Sequence, residues 1–153
     1  MTGSIHQRKA EHIEITLNEK VTGNHITTGL ERVHFIHNAL PEIDFTEISI
    51  ESTFLGQARP TPFMISSMTG GAAFAETINR NLALAAEEKG WILALGSMRA
   101  LIESEEHRAS FQVREYAPSV PIIANLGAVQ LNYGFGIDQC RQIIEMKHAN
   151  ALV

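Results

Sequence analysis

Short apolar runs that end in hydroxyl- and glycine-rich turns recur along the second part of this chain, and amphipathic stretches separate them. Pro62-Phe63-Met64-Ile65 leads into Ser66-Ser67-Met68-Thr69-Gly70-Gly71. Phe63 to Ile65 is expected to form a buried strand, with Ser66, Ser67 and Thr69 at its carboxyl end and Gly70 and Gly71 letting backbone amides approach a ligand. Ala73 to Lys89 then sets Phe74, Ile78, Leu82 and Ala85 or Ala86 on one helical face, and Gly90 ends the helix. Trp91 to Leu95 repeats the plan and ends at Gly96-Ser97-Met98-Arg99. A further helix is predicted over Glu105 to Tyr116, closed by Pro118. Pro121 to Ala124 is again a brief apolar strand, ending at Asn125-Leu126-Gly127. Asp138 is the expected N-cap of a helix carrying Ile143, Ile144 and Lys147, and Ala149 to Val153 begins another strand.

Upstream the pattern is weaker. Gln7 to Lys20 is charged and helical in period, with Ile13 and Leu17 on one face. Leu30 to Ile36 is apolar but mixed, Pro41 interrupts it, and Glu47 to Glu51 alternates as a half-exposed strand does. Gln57 to Pro62 is a turn-rich approach to the next strand. The chain therefore divides into an N-terminal arm with a hairpin-like extension over 1–61 and a repeating strand-helix region over 62–153.

Strands and helices alternating at ~30 residues per unit imply an α/β fold with a parallel sheet covered by helices. Two architectures fit. An open doubly wound sheet is one, although the G-x-G-x-x-G fingerprint is missing after the first core strand. The other is an eight-fold β/α (TIM) barrel, whose ligand groups sit at the carboxyl ends of strands, as Ser67, Ser97 and Asn125 would. A complete barrel needs about 250 residues, so the expectation is its N-terminal half, truncated within a strand.

Composition narrows the partners. The 153 residues are 44% hydrophobic and 19% charged with a formal net charge of -5, enough for one core of moderate size. No basic run is interleaved with aromatics, so a nucleic-acid surface is not expected. Met1 to Lys20 holds repeated charges and no apolar leader, and no run is long enough to span a bilayer, so a cytoplasmic, membrane-free protein is expected. Cys140 is the single cysteine, which excludes an internal disulfide and a cysteine metal cage.

Ser97-Met98-Arg99 puts a hydroxyl and a guanidinium just past a strand, and the planar fork of arginine suits a diphosphate. Arg8-Lys9 is a second basic pair, able to reach a ligand if the arm packs on the mouth of the sheet. Asn125 can hydrogen-bond a heterocycle or cap its own turn. His34 and His37 have the spacing of a helical metal pair, but no third ligand accompanies them. No Ser-His-Asp set, nucleophilic cysteine or strand-end general base is readable, so a cofactor is expected to supply the chemistry.

Several blocks, taken in order, resemble the type 2, FMN-dependent isopentenyl-diphosphate isomerases. They are Arg8-Lys9-x-x-His12-Ile13, Thr27-Thr28-Gly29-Leu30, Phe54-Leu55-Gly56, Ser67-Met68-Thr69-Gly70-Gly71, Gly96-Ser97-Met98-Arg99, Ser110-Phe111-x-x-Arg114 and Ala124-Asn125-Leu126-Gly127-Ala128. The resemblance implies a flavin-binding barrel in which Ser67, Met68, Thr69, Ser97 and Asn125 contact FMN, while Arg8, Lys9, Ser97 and Arg99 hold the substrate. It implies isomerisation of isopentenyl diphosphate to dimethylallyl diphosphate on reduced FMN, with NAD(P)H as reductant and Mg2+ on the diphosphate, in a homo-oligomer. The family's metal-binding glutamate and its histidine, glutamine and later flavin contacts are expected beyond Val153, so no metal ligand and no catalytic residue beyond the flavin site is expected here. This half alone is expected to be inactive. The alternatives are another FMN-binding barrel oxidoreductase and a non-catalytic half-barrel assembly module.

Overall fold

The repeating region forms a parallel sheet whose strands lie side by side in chain order. The computed structural model describes residues 5–71, 73–103, 105 and 108–153. Strands β3 (Met64–Ile65), β4 (Ile92–Ala94), β5 (Ile122–Ala124) and β6 (Ala151–Leu152) pair in that order, every pair parallel. No reversal of strand order occurs among these four, whereas a doubly wound sheet has one at its ligand crevice. Helices α2 (Ala73–Lys89), α3 (Arg99–Glu103) and α4 (Ile137–Lys147) lie in the crossovers, and α1 (Ile5–Asn18) precedes them all.

The central strands are buried on both faces, as an unbroken apolar run predicts. Leu93, Leu95, Ile122 and Ala124 belong to the core cluster that takes in Ala83, Ala86, Phe111 and Ile143. The alternate residues Ile92, Ala94 and Ile123 pack with Phe54, from the hairpin of β1 (Ser52–Phe54) and β2 (Gln57–Arg59). That hairpin turns through Leu55 at φ 49° and Gly56 at φ 75°, the two positive dihedrals of a type I′ turn.

Several expectations change. Phe63 and Met64 are 53% and 48% exposed rather than buried, because β3 has a neighbour on one side only among the described residues. No strand forms over the expected Glu47 to Glu51; residues 48–51 are irregular and follow a 3-10 turn, Phe45–Glu47, capped by the Asp44 carboxylate, which accepts the Thr46 amide at 2.8 Å. Among the described residues of the expected helix over Glu105 to Tyr116 no α-helix is present, residues 106 and 107 lying outside them; α3 comes earlier, and Ala109–Phe111 is a 3-10 turn. Arg114 accounts for the irregular course that follows. Its guanidinium donates to the carbonyls of Ala117 and Val120 at 2.9 Å and of His148 at 2.8 Å, satisfying loop oxygens that no ladder serves.

Helix α2 has the predicted bounds, and Gly90 (φ 68°) ends it with the Trp91 amide on the Ala86 carbonyl. Its buried stripe is instead Ala75, Asn79, Ala83 and Ala86, while Phe74 is exposed. The N-cap of α4 is Gly136, whose amide donates to Gln139 Oε1 at 2.8 Å, and Asp138 lies in the first turn. Residues 33–38 are not helical, so His34 and His37 do not share a helix face. Among the described residues no helix is long and apolar enough to cross a membrane, and no group of three or more metal-ligating side chains is present.

Candidate functional site

The turns after β3 and β4 meet one another because Gly96 has no side chain. A Cβ there would stand 2.7 Å from the Thr69 carbonyl carbon and oxygen, inside any allowed contact. The next turn is tied in by the Met98 amide, which donates to the Asn125 carbonyl at 2.8 Å. Between these strand ends and α1 lies an open cavity of about 1320 Å3. Its wall is apolar at Ile65, Met68, Ile78 and Leu82, with Ile13 and Leu17 facing it from α1. Thr69, Ser97, Lys9 and Arg99 are among its polar lining, and Lys9 and Ser97 are in direct contact.

Lys9 is carried to this rim by α1. Its Nζ donates to the Ser97 carbonyl at 3.1 Å and stands 5.6 Å from the centre of the Phe111 ring. Burial lowers its pKa from the usual lysine value, since no carboxylate offsets the loss of water. Gly70 and Gly71 create the room: a Cβ on Gly70 would fall 2.1 Å from Phe111 Cε1, and one on Gly71 would fall 3.2 Å from Lys9 Nζ. The Gly71 amide is not free for a ligand, as the sequence suggested it would be. Both glycines are buried, and the Gly71 amide donates to Ser110 Oγ at 2.8 Å.

Arg99 begins α3 and lines the cavity with Glu103, four residues on, whose Oε1 accepts its Nε at 2.6 Å. Asn79, buried on α2, donates Nδ2 to the carbonyls of Thr69 at 3.2 Å and Ser110 at 2.7 Å, locking the β3 turn against the 109–111 turn.

The cavity thus brings together five expected residues: Met68, Thr69, Ser97, Lys9 and Arg99. Ser67 and Asn125 stand at the same strand ends outside its wall, and the Arg8 side chain lies outside the described residues. Ser66, expected at the same strand end, also lines it, whereas sequence reading missed Glu103 and Gln130. Glu103 was legible as an i,i+4 partner of Arg99, but only on a helix starting at Arg99. Gln130, in the 3-10 turn Ala128–Tyr133, is buried with its Oε1 unpaired and had no signal of its own.

Residues 2–116 match the family of FMN-dependent dehydrogenases. The chain belongs to that family. Among curated proteins, this member of the FMN-dependent dehydrogenases is 56% identical over 153 residues to the isopentenyl-diphosphate delta-isomerase of Oceanobacillus iheyensis, covering 100% of this chain and 44% of the relative. It is 48% identical over 147 residues to the protein of that name from Rickettsia prowazekii, covering 96% of this chain and 43% of the relative. The match to the Nostoc sp. protein of that name is 47% over 146 residues, 95% of this chain and 42% of the relative. The chain thus spans less than half the length of the curated relatives it matches.

FMN is the cofactor of the family, and the cavity has the chemistry to take it. The volume exceeds the roughly 300–1,000 Å3 usual for a single small-molecule site. Apolar walls suit a flat ring system, and hydroxyls and two cations at one rim suit an anionic group.

Proposed function

We propose that this chain is the amino-terminal part of an FMN-dependent isopentenyl-diphosphate delta-isomerase, which converts isopentenyl diphosphate to dimethylallyl diphosphate. The observation that carries this reading is that Lys9, whose ammonium sits on the Ser97 carbonyl, and Arg99, two residues on, line the same mainly apolar cavity. A short apolar tail on a diphosphate head has the complementary shape. Removing a diphosphate from water costs several kcal/mol unless cations replace its hydration, and an ammonium and a guanidinium supply part of that replacement with charge-assisted hydrogen bonds.

Met68, Thr69 and Ser97, which line the cavity, are proposed to contact the flavin, and Ser67 and Asn125 to reach it from the same strand ends. Reduced FMN, when bound, supplies the acid-base chemistry that moves a proton from one end of the allylic system to the other. Lys9 and Arg99, joined by Arg8, hold the head group so that the tail lies along Ile65 and Met68, away from water. Mg2+ on the diphosphate, NAD(P)H as reductant, a cytoplasmic location and a homo-oligomeric β/α barrel belong to the same proposal.

The competing reading, a hydroxy-acid oxidoreductase, rests on the family alone. The complete protein carrying this chain, supplied with FMN and a reductant, is expected to convert isopentenyl diphosphate, and Lys9→Met to raise KM about tenfold or more. Oxidation of 2-hydroxy acids with no conversion of isopentenyl diphosphate would overturn the proposal.

A further inference from the structure

We infer that Glu103 is a positioning residue that presents the guanidinium of Arg99 to the diphosphate of a bound ligand. The inference rests on the anion-binding reading of the cavity and deepens it. Lys9, Arg99 and Glu103 are the formally charged residues among the described residues of the cavity wall. A carboxylate beside a site for an anion is unfavourable on charge alone, so its presence needs a cause.

The geometry supplies one. Glu103 Oε1 takes Nε of Arg99 at 2.6 Å, and both side chains are about one third exposed, at 33% and 37%. Among the described residues neither Nη nitrogen of Arg99 has a hydrogen-bond partner. The bond therefore consumes the inner edge of the guanidinium and leaves the paired outer N–H groups, the ones that grip two phosphate oxygens at once. An arginine on an open rim loses much rotamer freedom when it binds, and a side chain already held in place loses less. Helix α3 is only five residues long and places the two residues at its two ends, Arg99 where the chain leaves the β4 turn and Glu103 one turn deeper.

Two effects oppose one another, repulsion of the ligand by the carboxylate and preorganisation of Arg99, and substitutions separate them. Glu103→Gln keeps an acceptor for Nε and removes the charge. Glu103→Ala removes both. Affinity for inorganic diphosphate, measured by titration calorimetry on the complete protein, is expected to fall about 3- to 10-fold in E103A and to stay within about twofold of the starting protein, or improve, in E103Q. KM for isopentenyl diphosphate should rise by the same factor in E103A, with kcat changed less. In an Arg99→Ala background the E103A effect should vanish, because Glu103 acts through Arg99.

Unchanged or tighter diphosphate binding in E103A, or an undiminished loss in the R99A background, overturns the inference while the proposed function stands. Failure of the unsubstituted protein to bind diphosphate overturns the anion-site reading, and this inference with it.

Discussion

Lys9 sits where an ammonium is expensive: partly desolvated, with one carbonyl and one aromatic ring for company. Such a group waits for a negative charge, and its titration reports that state. Its folded pKa lies below the ordinary value of 10.5, which it regains in the unfolded chain. Between the two values the native state holds fewer protons than the unfolded one, so stability rises with pH through that window and the cost of burying the charge is fully present below it. Lys147 is buried behind Arg108 and shifted the same way, by burial first and then by Arg108, so it adds to the slope. Lys9→Met is expected to flatten part of the rise in denaturation midpoint as pH climbs towards 10.5, and to raise stability at lower pH. An unchanged slope would mean that Lys9 is solvated in the protein.

At the scale of elements, the turn after β3 is built by exclusion of side chains rather than by their contacts. Phe111 fills the volume that Gly70 leaves empty, and Lys9 rests on that ring. Gly70→Ala puts a methyl group 2.1 Å from Phe111 Cε1. The cost is expected near the upper end of overpacking penalties, about 3 kcal/mol, with diphosphate binding weakened because Lys9 loses its support. Gly127→Ala is the control, since its Cβ meets only Val129 Cγ1 at 3.9 Å, and a change within about 0.5 kcal/mol is expected from urea titration. Equal effects at the two positions would refute this account.

The same contrast shows what was legible in the chain beforehand. The strands around Leu93 and Ile123 and the helix over Ala73–Lys89 follow from local period and composition, and the structure has them. The 109–117 course was not legible, because long-range partners override its helical period: Phe111 answers to Gly70 and Arg114 to carbonyls as distant as His148. Burial of Asn79 in an alanine stripe likewise depends on two carbonyls from other turns. In the site, the hydroxyls and cations at strand ends could be named from spacing alone. That the Gly70-Gly71 pair makes room for Phe111 and Lys9 required the packing around it.

For the whole molecule, the distribution of apolar surface is unlike that of a self-sufficient monomer. Nearly every side chain from residue 19 to 51 is exposed, Phe35 and Ile36 at 94% and 99%. The outer strands β3 and β6 each have one neighbour among the described residues, leaving backbone donors and acceptors along two edges. Exposed apolar rows and open edges of this extent attract other chains. The 153-residue chain purified by itself is therefore expected to self-associate as concentration rises in sedimentation velocity, and to bind an apolar dye. Phe35→Ser combined with Ile36→Ser should lessen both. It should not convert isopentenyl diphosphate, because Lys9 and Arg99, net of Glu103, neutralise too little of a diphosphate's charge to replace its water. In the complete isomerase that we propose, the same surfaces are covered, so the double serine variant should there lower stability instead. A dye-free monomer at all concentrations would show that these residues need no cover, and turnover by the isolated chain would show that its two cations suffice.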